Sequence, residues 1–316
     1  MIRAGLPRLL RAIGVLLVIA ALTCQLAFLM PGDPALILLG PESTDAQRAE
    51  LRHTLGLDRG FFPRFLDWMG GVLIGDWGTS FASGRPVLGE ILERLPVTVE
   101  LVLLSQLLAL ALIIPLALGS ARRVNGVFDR VVSTATFVAL AIPSFVVGVL
   151  LIFVFAVHLG WLPATGYVPF SEHPLENLRR MVLPALTLGI AEAAVYTRAL
   201  RGAAIEAVRS QFAYATMVRG ASDRALLWRR ILRPSSPSLV AMLGITVATA
   251  LGGSLLVEQL FALPGLGRLT VGALGARDLP VIQGVVFFAA IVVVVAGIIT
   301  DIALALIDRR SIRGRS

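Results

Sequence analysis

Few side chains in this sequence have the type and spacing that covalent chemistry requires. The three histidines, His53, His158 and His173, are scattered and stand beside no paired carboxylate or serine motif. Neither a metal cluster nor a nucleophilic triad is therefore predicted. Cys24 is the only cysteine and lies within an apolar run, which excludes an internal disulfide framework and a cysteine-based metal centre. All 28 basic residues are arginine, and lysine does not occur. A phosphate-binding loop needs a lysine after its glycine-rich turn to reach the nucleotide phosphates. The chain is accordingly expected to bind no ATP in that way, to hold no metal or cofactor, and to carry no catalytic residue.

The chemistry left to the chain is recognition by arginine and apolar surface. Between Ser210 and Pro234 runs SQFAYATMVRGASDRALLWRRILRP, a polar, arginine-rich loop between two long apolar stretches. Arg219-Gly220-Ala221-Ser222-Asp223 supplies a break, and Ala225 to Trp228 with Ile231 and Leu232 put apolar side chains on one helical face, arginines opposite. A short exposed helix of this kind needs a groove in a partner. The same pattern also suits an amphipathic helix lying on a lipid surface, given its arginines and Trp228. Glu192 is a different candidate: it sits in an apolar stretch where an ionised carboxylate costs at least ~2.5 kcal/mol unless paired or wetted. It would either meet a substrate amine or be the buried partner of Arg198 or a polar group on another helix.

The elements that must position these residues are membrane helices. A composition of 57% hydrophobic and 15% charged residues over 316 positions, with mean hydropathy +0.85, describes a polytopic all-α membrane protein. Apolar segments of about 20 residues should span a bilayer as helices. Six are predicted: Leu9–Met30, Thr98–Leu118, Val131–Val157, Met181–Thr197, Ser238–Val257 and Val281–Ile307. A β-barrel would instead show short alternating segments. Arginines before the first span, at 122, 123 and 130, in the 198–233 loop and after the last span place those loops and both termini in the cytoplasm. The net charge of +8 belongs to that topology and not to nucleic-acid binding, since no basic domain interleaved with aromatics is present.

The organisation read from the chain is a first helix within 1–30, an external subdomain at 31–97, and a membrane core at 98–316 with its loop at 201–235. The first apolar run lacks a small-residue cleavage site before Pro31 and reads as an uncleaved helix. Asp45–Leu55 is predicted helical, with Ser43 or Thr44 as N-cap and Gly56 as stop. The segment around Gly160–Tyr167 suits an anchoring turn at the membrane interface. Pro143 and Pro184 are possible kinks, and Gly244, Gly252 and Gly253 permit close helix approach.

Several strings resemble one family. The 210–234 loop looks like the glycine-centred coupling segment of ABC importer permeases. Glu258-Gln259-Leu260-Phe261-Ala262-Leu263-Pro264-Gly265-Leu266-Gly267-Arg268 and Ala276-Arg277-Asp278-Leu279-Pro280-Val281-Ile282-Gln283-Gly284 are similar to the dipeptide, oligopeptide and nickel permeases. So are Met30-Pro31-Gly32-Asp33-Pro34, Leu55-Gly56-Leu57-Asp58, Gly75-Asp76-Trp77-Gly78-Thr79-Ser80, Ile142-Pro143-Ser144-Phe145 and Leu183-Pro184-Ala185-Leu186-Thr187. The resemblance covers almost the whole chain and is nearest the first, B-type permease of peptide importers.

That resemblance implies a type I importer permease fold in a bacterial cell membrane. It further implies a homologous second permease, two cytoplasmic ATPase subunits carrying ATP and Mg, and an extracytoplasmic substrate-binding protein. Tyr214, Ala215, Arg219, Gly220, Ala221, Ser222, Leu226 and Leu227 would dock the ATPase, with Gly220 at the turn. Tyr214 and Thr216 depart from the general Glu and Ala, and Leu232-Arg233 from the downstream Leu-Pro. Glu192 and Glu258 are carried as candidates lining the translocation path. Peptide is the expected cargo, with nickel chelate, glutathione and haem open in the same machinery. An ion-coupled secondary transporter using Glu192 or Asp301 is the alternative from another class, and a non-transporting membrane scaffold or receptor is a third.

Overall fold

The computed structural model describes residues 2–29, 34–54, 58–211 and 226–307. Among them the elements are helices, with one isolated bridge between Thr79 and Pro86. In chain order they are α1 (Ile2–Leu29), α2 (Pro34–Leu39), α3 (Asp45–Thr54), α4 (Phe61–Leu73), α5 (Val87–Arg122), α6 (Val127–Ala141) and α7 (Ser144–Leu151). A π-helical turn (Ile152–His158), α8 (Pro174–Val208), a second π-helical turn (Leu226–Leu232), α9 (Arg233–Leu260), α10 (Leu266–Ala276) and α11 (Leu279–Ile307) follow.

Helices α5, α9 and α11 are each long and apolar enough to cross a membrane. They contain the predicted spans Thr98–Leu118, Ser238–Val257 and Val281–Ile307. The predicted span Val131–Val157 is not one straight helix, because α6 and the helix that follows it meet at 103°. Pro143 is the cause: its ring disfavours the helical region at the preceding residue, and Ile142 accordingly sits at φ −91°, ψ 125°. The 35-residue α8 holds the predicted Met181–Thr197 and runs on through Pro184. Polar residues along it keep it outside the apolar set. In α1 the apolar core is Leu10–Gln25, and Met30, the predicted end of that span, lies outside the described residues.

The chain forms two compact units, one of residues 1–97 with 264–294, the other of 98–263 with 295–316. In the first, Ala20, Trp77, Val87, Ile91, Leu266, Val281, Val285 and Phe287 make a buried cluster, with Trp68 and Trp77 set edge-on to Phe287 at 5.2 and 5.8 Å. Helix α3 starts with a reciprocal cap of the kind that satisfies two orphan donors. The Thr44 N–H donates to Gln47 Oε1 at 2.9 Å, and the Gln47 N–H donates to Thr44 Oγ1 at 3.3 Å. The expected stop, Gly56, lies outside the described residues.

In the second unit, Ala109, Ile113 and Ala117 of α5 pack on Ala193, Tyr196 and Leu200 of α8 and Leu239 of α9. Two glycines fix the closest crossings. A Cβ on Gly148 would stand 2.7 Å from Leu260 Cδ2, and one on Gly244 would stand 2.7 and 2.8 Å from Thr300 Cγ2 and Cβ. Gly253 faces Leu188 Cδ2 at 3.2 Å, whereas a Cβ on Gly252 would meet nothing within 4 Å. Of the glycines expected to permit close approach, Gly244 therefore does so most tightly. Gly244→Ala should cost about 1–3 kcal/mol through overpacking and lower the thermal midpoint of the purified protein. Gly252→Ala, measured in the same melt, should leave it unchanged.

Candidate functional site

The two ends of the arginine-rich loop are held by apolar packing. Tyr214, Ala215, Arg219, Gly220, Ala221 and Ser222 all lie outside the described residues. Leu226 begins the second π-helical turn, and Leu227 follows it, half-buried. Leu118 and Ala121 of α5, Ala204 of α8 and Ile231 form a buried cluster, with Ile205, Val208, Leu227 and Leu232 packed against it. The end of α8 and the chain from Leu227 to Leu232 are thus joined by one apolar knot that α5 shares.

An ion pair fastens the same region. Asp129, 3% exposed, sits in the first turn of α6 and accepts both Arg201 Nε on Oδ1 at 2.6 Å and Arg201 Nη2 on Oδ2 at 2.8 Å. Ser120 Oγ also donates to Oδ1, and the Asn125 N–H donates to Oδ2 at 2.8 Å. Asn125 holds a positive φ of 64°, which Asn tolerates better than most residues and which turns its N–H onto the carboxylate. The forked guanidinium matches the carboxylate in-plane, the stronger geometry for such a pair. Three elements, α5, α6 and α8, are locked at the root of the loop.

The other end of the second unit carries a separate set of polar fastenings. Glu258 is fully buried and accepts Thr98 Oγ1 at 2.7 Å. Its backbone carbonyl accepts the Leu263 N–H at 2.9 Å, closing the turn after α9. Tyr167 donates to Glu100 Oε2 at 2.8 Å. Burial, and then that carboxylate, push the phenol up to about 12. The 159–173 segment is held by α8: Arg179 donates to the Trp161 carbonyl at 3.0 Å and Arg180 to the Thr165 carbonyl at 3.2 Å. These contacts make that segment a built structure anchored on a helix start.

Midway along the bundle, Tyr196 donates to Gln106 Oε1 and shares a hydrogen bond with Thr246, so one phenol ties α8 to α5 and α9. One turn earlier Glu192 is 7% exposed, and neither carboxyl oxygen accepts a hydrogen bond. The Ser105 hydroxyl beside it gives its hydrogen to the Val102 carbonyl at 2.9 Å. Arg198, the partner considered from sequence, lies over the Phe137 ring at 5.4 Å instead. The structure therefore does not bring Glu192 and Glu258 together: Glu258 meets Thr98 and Glu192 stands beside Ser105, at different levels of α5.

In the first unit, Asp278 organises two of the sequence strings. It is 2% exposed and accepts Ser80 Oγ at 2.5 Å, the Phe81 N–H at 3.2 Å and the Ala82 N–H at 3.1 Å. It also caps the start of α11 through the Val281 N–H at 3.4 Å. Beside it opens a cleft of about 390 Å³ walled by Ser83, Glu90, Arg94, Arg268 and Gly272. The Gly265-Leu266-Gly267-Arg268 string begins the 11-residue α10, with Gly265 as its N-cap. Among the described residues no cluster of His, Cys, Asp and Glu could hold a metal ion.

Sequence reasoning passed over Asp129, Arg201 and Asp278. Asp129 is a lone acid among arginines 122, 123 and 130, and Asp278 precedes Leu-Pro, the order of an N-cap followed by a proline in the first turn.

Residues 113–313 match the family described as the binding-protein-dependent transport system inner membrane component, and residues 1–102 match its N-terminal membrane component. The oligopeptide transport system permease protein AppB of Bacillus subtilis is 33% identical over 306 residues, covering 96% of this chain and 97% of that protein. The glutathione transport system permease protein GsiC of Salmonella choleraesuis is 34% identical over 308 residues, covering 98% of each. Among solved structures, an inward-facing MetNI methionine ABC transporter aligns with TM-score 0.56 at 18% identity, covering 69% of this chain and 96% of that one. That likeness shows the fold alone, an all-α membrane-permease fold.

Removing Arg201 would leave the buried Asp129 carboxylate without its cation, at a cost of about 3–5 kcal/mol. Arg201→Ala should therefore unfold at a markedly lower temperature than the parent. Asp129→Asn combined with Arg201→Gln should recover part of the loss, as a double-mutant cycle followed by thermal melting would read.

Proposed function

The chain belongs to the inner membrane components of binding-protein-dependent transport systems, the permeases of ABC importers, and on that premise we propose that it passes di- or oligopeptides. The observation that carries the cargo is kinship over nearly the whole chain with permeases named for oligopeptide and glutathione, both peptides. It works as a multi-pass bacterial membrane protein, with both termini cytoplasmic by the placement of its arginines. It encloses the path with a homologous second permease and receives cargo from an extracytoplasmic binding protein. Two ATPase subunits supply the nucleotide site, with ATP and Mg, that this chain is expected to lack.

Coupling runs through residues 201–235. The ATPases grip the segment around Gly220, and its two ends are bound to α5, α6 and α8 by the Asp129–Arg201 pair and the apolar knot. A displacement of the segment on ATP closure is thus delivered to packed helices and not absorbed by slack chain. The bundle can answer by moving between two arrangements, because ATP binds one of them better. Of the two carboxyls carried as path candidates, Glu192 is the better one, since Glu258 is already engaged by Thr98.

Gentle purification of the tagged chain from its native membrane should recover a P-loop ATPase, a second permease and a binding protein, identified by mass spectrometry. Recovery of an active transporter without any ATPase would contradict the assignment. Gly220→Trp should abolish peptide uptake while the complex remains assembled and ATP hydrolysis persists. Unchanged uptake in that variant would remove Gly220 from the docking site.

A further inference from the structure

An apolar groove runs along α5 next to the second π-helical turn. Leu110, Ala111, Ile114, Pro115, Leu118 and Gly119 form its wall, and Arg122, Leu227 and Trp228 form its end, around a volume of about 510 Å³. Three features define what fits. From Leu110 to Arg122 a helix rises about 18 Å, close to the depth of one leaflet of a hydrocarbon core about 30 Å thick. At the end that leads to the arginine-rich loop stand an exposed arginine and Trp228, 53% exposed, the pair of residue types that settles at the headgroup level. Between them and Leu110 the groove wall offers hydrocarbon contact only.

We propose that this groove holds one anionic phospholipid of the cytoplasmic leaflet, its acyl chain along α5 and its phosphate against Arg122. Only the choice of leaflet rests on the orientation proposed above; the ligand class rests on the groove. Charge decides between lipid classes, because a guanidinium at the headgroup level favours an anionic lipid over a zwitterionic one. The lipid would touch Leu227 and Trp228, which belong to the 201–235 stretch through which coupling is proposed to run. The site thereby makes transport sensitive to membrane composition.

The test uses the assembled transporter with its partner subunits, reconstituted in phosphatidylethanolamine vesicles with and without phosphatidylglycerol. Native mass spectrometry reads retained lipid, and ATP hydrolysis reads coupling. The parent should retain phosphatidylglycerol and hydrolyse ATP faster when it is present. Arg122→Gln should lower that retention by about fivefold, the effect of one arginine near an anionic surface, and leave zwitterionic lipid untouched. Ala111→Trp, which fills the groove from its exposed wall, should remove the retained lipid and make ATP hydrolysis indifferent to phosphatidylglycerol. Both variants are first checked for recovery with the same partner subunits, so that loss of assembly is read separately from loss of lipid. Equal retention in parent and variants would overturn the proposal. So would cross-linking of a photo-reactive residue at position 114 to the second permease or an ATPase instead of lipid.

Discussion

A polar side chain carried into an apolar helical bundle must find its partner inside that bundle, because the bilayer offers none. This constraint governs where the second unit is fastened. Tyr196 joins three helices through Gln106 and Thr246, Thr98 meets Glu258 at one level, and Asp129 meets Arg201 at another. Apolar packing between leucines and alanines sets how close the helices come but tolerates sliding. The polar pairs set register, since a one-turn slip would leave a buried carboxylate unpaired. Glu192 stands apart, buried with neither oxygen accepting a hydrogen bond.

Under the proposed coupling, the placement of these pairs decides which helices would move together. The strongest of them lies where α5, α6 and α8 meet, toward the C-terminal end of α8. In the proposed coupling, a pull on residues 201–235 would act on the helices that this pair holds together. The sharp bend at Pro143 separates α7 from α6, which Asp129 ties to α8. Gly148 and Gly244 bring backbones close enough that α7, α8, α9 and α11 of this unit respond as packed neighbours.

Much of the fold was legible because lipid imposes length and apolarity: the spans within α5, α9 and α11 follow from hydropathy, and the start of α3 from its capping residues. The α6–α7 bend was visible only as Pro143, which marks a break in the helix but not its angle of 103°. The site was legible in part. Gly220 and its neighbours, expected from a motif, lie outside the described residues, whereas Asp129 and Arg201 are 72 positions apart and no local pattern joins them. Asp278 was quoted within a string that resembles a family, yet its work, capping α11 and holding the Ser80 turn, appears only when the two segments meet. Glu192 drew notice for being charged in an apolar run; the structure adds that Arg198 does not neutralise it.

The central claim is that this permease moves its cargo with energy from ATP and not from an ion gradient. Its most direct test is uptake of a labelled peptide into proteoliposomes containing the complete complex and its binding protein. ATP enclosed on the ATPase side should drive accumulation that persists when ionophores collapse every gradient. Accumulation that stops with the ionophores and continues without ATP would contradict the account and make Glu192 an ion-coupling residue.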